Sequence, residues 1–236
     1  MIKTFLEFAR LVIRNWRAKK RHLDSYSQRQ EDLAIVKYLP ENYGSYLDIG
    51  CGNPILESNT FLLYKRGWTG HMIDAWEMNC KVGKFLRRKD TFGNFVMNSN
   101  GESLLFYLFE PYQYSTADEK IYNDLVAQGI IFRKKVVIQG KRISDLNLEV
   151  TPSSPSFLSI DVEGLDLEVL NSNNWEKYLP RVICIEKISV GDNLALEVEL
   201  SARNAGIHSL LSLQGYKLVE TCGPSCIYVH STYLQR

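Results

Sequence analysis

The stretch Tyr46-Leu47-Asp48-Ile49-Gly50-Cys51-Gly52-Asn53 decides the fold of this chain. A short apolar run ends in an acid, and a Gly-x-Gly turn follows at once. Beyond Pro54 the sequence reads as helix, so the unit is strand, tight loop and helix, the opening of a nucleotide-binding α/β fold. Glycines there let the backbone bend sharply and approach a ligand closely. The next apolar run, Thr69 to Ile73, closes on Asp74, where an acid commonly takes ribose hydroxyls. An adenosine-containing cofactor is therefore expected.

Missing residues narrow the cofactor. A dinucleotide fingerprint needs a third glycine three residues after the second. That position is Ile55, which argues against a nicotinamide enzyme. No Gly-x-x-x-x-Gly-Lys-Ser/Thr loop occurs, and no Lys or Arg lies between Asp48 and Tyr64. An acidic loop without cations suits a positive ligand better than phosphates. S-adenosylmethionine fits, with its sulfonium, amine and adenosine and no phosphate.

At 236 residues, with 45% hydrophobic and 23% charged content, the chain suits one globular domain with an extension. A net charge of +1 gives no sign of a nucleic-acid partner. Residues 1–22 nevertheless carry seven Lys/Arg against one Glu, so the remainder is net acidic. No apolar run reaches the roughly 18 residues of a membrane span, and charges interrupt the N-terminal segment, unlike a secretory signal. The five cysteines are scattered, as in a reduced cytoplasmic protein, and Cys222 and Cys226 read as structural thiols. The four histidines are isolated and read as structural.

Residues 2–21 read as one amphipathic helix, the core of an extension spanning 1–24. Lys3, Glu7, Arg10, Arg14, Arg17 and Arg21 form one stripe, and Ile2, Phe5, Ala9, Val12, Ile13 and Trp16 the opposite side. Such a helix lies on an anionic membrane surface, giving a membrane-peripheral protein, or packs on its own domain or a second subunit in an oligomer. Packing on protein is the preferred reading. A second helix is expected over 25–39. Strands 45–49, 69–74 and 93–97 then alternate with helices 57–66 and 77–88. Strand-like 103–109, a polar and mostly helical insert at 112–130, and a short strand at 136–139 follow. Strand 157–160, helix 165–171, strand 181–186, helix 200–214 and a closing hairpin at 216–220 and 226–230 complete the pattern.

In an open α/β sheet, ligands bind outside the carboxyl ends of the strands. Asp48, Asp74, Asp161 and Glu186 each stand at such an end, and Glu163 follows two residues after Asp161. Acids there can balance a sulfonium and an amine, act as general base toward a hydroxyl, or hold a divalent metal. Helix capping is the plainer use for Glu163.

Several segments together resemble the FkbM family of S-adenosylmethionine-dependent methyltransferases. They are Asp48-Ile49-Gly50, Ser58-Asn59-Thr60 with Tyr64 and Gly67-Trp68-x-Gly70, Ser159-Ile160-Asp161-Val162-Glu163-Gly164 with its helix, and Val182-Ile183-Cys184-Ile185-Glu186. The likeness covers roughly residues 25–230, within a domain of 25–236. It implies a Rossmann-like class I methyltransferase fold, a seven-stranded, mostly parallel sheet with an antiparallel last strand, flanked by helices. It implies O-methylation of a hydroxyl, often on a sugar in a glycan or on a small molecule. By motif, Asp48, Gly50, Cys51, Gly52 and Asn53 would hold the methionine part of the cofactor. Asp74 and Ala75 would hold the ribose side, and Asp161 would lie beside the transferable methyl with Glu163 near it. Asp161 and Glu163 are the candidate catalytic residues. The family's usual Ala-Asn after the first glycine is Cys51-Gly52-Asn53 here, and its Glu-Pro-Asn is Asp74-Ala75-Trp76. The altered loop keeps open a non-catalytic module of glycan assembly. The insert, with Tyr112, Tyr114, Ser115, Thr116 and Tyr122, suits a sugar-binding lid.

Overall fold

The computed structural model describes residues 2–21, 23–187 and 194–234. Helices α1 (Ile2–Lys20) and α2 (Glu31–Tyr38) precede β1 (Ser45–Ile49). Then come α3 (Phe61–Lys65), β2 (Thr69–Ile73), α4 (Glu77–Leu86) and β3 (Thr91–Gly93). An excursion holds β4 (Val96–Met97), β5 (Leu104–Glu110), α5 (Glu119–Ala127), β6 (Ile131–Ile138) and β7 (Gly140–Lys141). The chain returns through β8 (Ser156–Ile160), α6 (Asp166–Asn171), β9 (Val182–Glu186), α7 (Leu194–Leu213), β10 (Tyr216–Cys222), β11 (Ser225–His230) and α8 (Ser231–Leu234).

Seven strands form one sheet in the order β10-β11-β9-β8-β1-β2-β3. Every neighbouring pair from β9 to β3 is parallel, while β11 runs antiparallel to both β9 and β10. This is the Rossmann-like class I methyltransferase arrangement. Both faces of the central strands are covered, so β8 is buried throughout and reads as Ser-Phe-Leu-Ser-Ile rather than as an alternating strand. Leu47, Ile49, Leu158 and Ile183 meet Val169 and Leu170 of α6 and Ile207 and Leu211 of α7 on one face. Tyr46, Met72, Phe157 and Val182 meet Ile35, Leu63 and Cys80 on the other.

Register positions the site. Ile49 pairs with Ile73 and with Ile160, and Ile160 pairs with Ile185. The residues that follow, Gly50, Asp74, Asp161 and Glu186, therefore leave the sheet along one edge.

Three expected elements are shorter or broken. The helix expected over 25–39 is only α2, because Asp32 ties the preceding loop by accepting from Ser25 Oγ, Tyr26 N and Ser27 Oγ at 2.6, 2.7 and 2.9 Å. The helix expected over 57–66 is only α3, since Glu57 adopts a left-handed φ of 61°. The strand expected over 93–97 divides into β3 and β4, and β4 leaves the sheet to pair with β7. Between them Asn94 turns its amide onto the carbonyls of Asp74 and Ala75, at 3.0 and 2.8 Å. The expected 136–139 strand is the end of the longer β6, which pairs antiparallel with β5 across α5.

Helix α1 lies against α4, with Phe8 edge-on to Phe85 and Lys19 Nζ donating to the Leu86 carbonyl at 2.6 Å. Phe8, Leu11 and Val12 join Met78, Val82 and Leu86 in a core cluster, and Asn15 and Ala18 are buried beside them. The side chains of Ile2 and Lys3 lie outside the described residues.

Candidate active site

A cavity of about 1070 Å³ opens along that strand edge, at the upper end of the roughly 300–1,000 Å³ of small-molecule sites. Gly50, Cys51, Gly52, Asn53, Asp74, Ala75, Asp161 and Glu163, all expected from sequence, line it, as does Glu186. Glu57 adds another carboxylate, and among the described residues Arg14 is the sole Lys or Arg on its wall. Five acids against one cation make the interior favourable to positive charge.

The glycine turn is shaped by crowding. Gly50 has φ 77°, and a Cβ there would stand 1.7 Å from the Asp161 carbonyl oxygen. The N–H groups of Gly50 and Cys51 both donate to the Ile73 carbonyl, at 2.9 and 3.0 Å. The turn is thus wedged between the ends of β2 and β8. At Gly52 the space is open, with only the Gly50 carbonyl at 3.9 Å. Asn53 Oδ1 then accepts from Ile55 N and Leu56 N, each at 3.0 Å, and so closes a local turn. Ile55, at the position of the missing third glycine, is fully buried.

Asp74 is almost wholly enclosed. Its Oδ2 accepts from Gly52 N at 2.8 Å and Asn79 Nδ2 at 3.2 Å. Its Oδ1 accepts from Trp76 N at 2.7 Å and from the Tyr112 hydroxyl at 2.9 Å. Burial raises its pKa against these donors. The Tyr112 ring stacks on Trp76, centroids 4.6 Å apart and 24° from parallel. A phenol thus occupies the carboxylate expected from sequence to take a ribose hydroxyl, and its ring covers Trp76. Asn79 and the Tyr112 contact were not identified from sequence. An Asn five residues after the acid, on the first turns of a helix, was the available signal for Asn79.

The acids after β8 and β9 form a cluster. Single carboxylate oxygens of Asp161, Glu163 and Glu186 all lie within 4.8 Å of one another. Burial, then Glu186 and Glu163, pushes Asp161 well above the usual carboxylate range. Burial, then Glu186 and Asp166, pushes Glu163 up to about 8. Glu163 also has a left-handed φ of 51°, a conformation that costs a non-glycine residue about 1 kcal/mol or more. Thr116 Oγ1 donates to the Glu163 carbonyl at 2.9 Å, and Arg203 donates to the Gly164 carbonyl at 3.0 Å. The loop is held in a strained form that keeps mutually repelling acids together, an arrangement that stability alone does not favour. It does not cap a helix through Glu163, since α6 starts at Asp166 without a side-chain cap.

Such a cluster accepts a cation. The sulfonium and amine of the expected cofactor fit it, and so does a divalent metal, whose oxygen ligands at about 2.0–2.6 Å can lie up to ~5 Å apart. Asp74, the Gly52 amide and Trp76 also stand on this wall, each engaged within the protein: Gly52 N with Asp74, and Asp74 and Trp76 with Tyr112.

Asp48 corrects the expectation placed on it, because it does not line the cavity. Side chains alternate along a strand, and Ile49 takes the cavity side while Asp48 points to α3. There Asp48 accepts from Thr60 Oγ1 at 2.7 Å, and burial lifts its pKa to about 6. Thr60 in turn accepts from Arg87, a fully buried residue with no recognisable sequence signal. Arg87 also donates to Asp90 at 2.6 Å, to the Tyr46 hydroxyl at 2.6 Å and to the Pro54 carbonyl at 3.2 Å. Asp48 thus anchors the segment after the glycine turn from below. Within the insert, Tyr112, Tyr114 and Ser115 line the cavity. Thr116 instead holds Glu163, and Tyr122 stacks on Tyr107.

The model of the methyltransferase FkbM domain matches residues 48–218. A TehB-like SAM-dependent methyltransferase from Corynebacterium glutamicum is similar at 11% identity and TM-score 0.42, covering 95% of this chain and 98% of its own. A SAM-dependent methyltransferase from Aquifex aeolicus is similar at 12% identity and TM-score 0.37, covering 84% and 87%. No curated protein matches significantly. The family match runs from Asp48 to Leu218, through the glycine turn, Asp74 and the acid cluster, and the chain belongs to the FkbM family of S-adenosylmethionine-dependent methyltransferases.

Proposed function

We propose that the protein methylates a hydroxyl oxygen, that of a sugar in a glycan or glycosylated metabolite. The observation that carries this reading is the convergence of Asp161, Glu163 and Glu186 on the cavity beside the glycine turn. S-adenosylmethionine, when bound, supplies a methyl group already activated by its positive sulfur. The protein then has to hold that cation, align an oxygen with the methyl, and take the oxygen's proton. Asp161, once the bound cation displaces its proton, and Glu186 face that charge, and Asp74 takes the ribose once Tyr112 withdraws. Glu163 suits the proton acceptor, because a carboxyl raised to about 8 is a far better base, once ionised, than an ordinary one. Tyr114 and Ser115 on the cavity wall offer an aromatic face and a hydroxyl to a sugar ring.

The test is incubation with S-adenosylmethionine and a set of sugar and glycoside acceptors, followed by mass spectrometry. A product heavier by one methylene, with matching S-adenosylhomocysteine, is expected. Methylation of amine acceptors alone would sink the reading. A second reading, a fold that binds without catalysis, draws on Tyr112 occupying Asp74. Calorimetric titration with S-adenosylhomocysteine separates the two, because a heatless titration leaves only the second. The acid cluster would also hold Mg²⁺, which would assist by lowering the acceptor hydroxyl's pKa. A thermal shift with Mg²⁺ that is lost in Glu186→Gln would support that use.

A further inference from the structure

We propose that α1 docks this protein on an anionic lipid surface. The helix packs on α4 through Phe8, Leu11, Asn15 and Ala18. Of the apolar side evident in its sequence, Val12 joins that contact while Phe5, Ile13 and Trp16 do not. Phe5, Leu6, Ile13 and Trp16 face outward, 69, 50, 51 and 47% exposed. Phe85 of α4, edge-on to Phe8 and 51% exposed, extends the apolar surface. A helix at rest on its own domain turns polar residues outward; this one turns out a second apolar strip.

Charge identifies what covers it. Arg10, Arg14, Arg17, Lys20 and Arg21 border the strip, with Glu7 the sole acid of the helix. Among the described residues, none of Arg10, Arg14 and Arg17 forms an ion pair. Lys20 Nζ sits 3.7 Å from the Trp16 ring centroid. Aromatic and aliphatic side chains beside a row of Arg and Lys, on a helix lying flat, are what an anionic membrane interface binds. From Phe5 to Trp16 the strip runs about 16 Å along a straight helix, a flat contact rather than an anchor for a pocket. The rest of the chain is net acidic and repelled, so one orientation is favoured.

The experiment is co-sedimentation of the full chain with phosphatidylcholine vesicles containing phosphatidylglycerol, against phosphatidylcholine alone. Binding to the anionic vesicles only is expected, with a blue shift of tryptophan fluorescence that is lost in Trp16→Phe. Arg10→Gln with Arg17→Gln should weaken binding about 30-fold, from two surface cations. Phe5→Ser with Ile13→Ser and Trp16→Ser should abolish it while leaving the melting temperature unchanged, since these side chains are exposed. Equal binding to neutral vesicles, no binding, or wild-type binding by the triple variant would overturn the proposal. So would a dimer in the ultracentrifuge that the triple variant dissolves, because the strip would then belong to a second copy. S-adenosylhomocysteine titration of the triple variant keeps the proposals apart: retained cofactor affinity with lost vesicle binding supports docking. A wild type that binds vesicles but not S-adenosylhomocysteine supports docking and removes methyl transfer.

Discussion

Tyr112 competes for Asp74 from within the molecule. Its hydroxyl donates to Oδ1 at 2.9 Å while its ring covers Trp76, so a ribose held by Asp74, as proposed, would have to displace it. Tyr112→Phe keeps the ring and removes that hydrogen bond. Calorimetry should show S-adenosylhomocysteine binding about five-fold tighter, the worth of a ~1 kcal/mol bond. An unchanged or weaker affinity would mean that Tyr112 does not stand in the cofactor's place. Gly50 shows the opposite constraint, one of space. A methyl group would enter the Asp161 carbonyl at 1.7 Å, so Gly50→Ala should cost at least about 3 kcal/mol in urea denaturation. Gly52→Ala meets open space and should cost only the ~1–2 kcal/mol of its left-handed backbone.

At the scale of elements, the loop from β8 to α6 concentrates negative charge. Glu163 ordinarily titrates near 4.5 but holds its proton up to about 8 in the folded chain. Its contribution to stability is therefore complete below pH 4.5 and is lost as pH rises to about 8. Glu163→Gln should flatten the fall in melting temperature over that window, and at its alkaline end melt higher than wild type by about 2–4 °C per kcal/mol of repulsion removed. A cationic ligand favours the ionised cluster, so S-adenosylmethionine binding at pH 7 should release protons and tighten toward pH 8. Titration in buffers of different ionisation enthalpy checks this, and a buffer-independent heat would refute it. On the other side of the sheet, α4 is followed by Arg87, which ties Pro54, Thr60, Tyr46 and Asp90 together in full burial. Arg87→Met leaves Asp90 charged and unpaired and should cost about 3–5 kcal/mol, measured by chemical denaturation.

For the whole molecule, strand register turns scattered acids into a site. The alternation of short apolar runs with helices, and the acids that end those runs, were legible because a parallel sheet buries whole strands and leaves polar residues to their ends. The glycine turn, Asp74 and the Asp161–Glu163 pair stood out for the same reason. Asp48 was misjudged because which side a strand-end residue faces depends on the sheet's pleat and on Thr60, twelve positions along. Arg87 and Asn79 carried no local pattern; each acquires its role only through partners brought close by folding. The apolar stripe of residues 2–21 was equally plain, but the side the helix buries depends on the shape of α4 beneath it. Local periodicity and strand-end chemistry, properties of neighbours in the chain, thus determined the fold class, the cofactor type and most of the acids at the site. Which acids face the cavity, that Tyr112 occupies Asp74, and that α1 turns its Phe5, Ile13 and Trp16 outward were decided by the tertiary structure alone, because each depends on contacts between segments far apart in sequence.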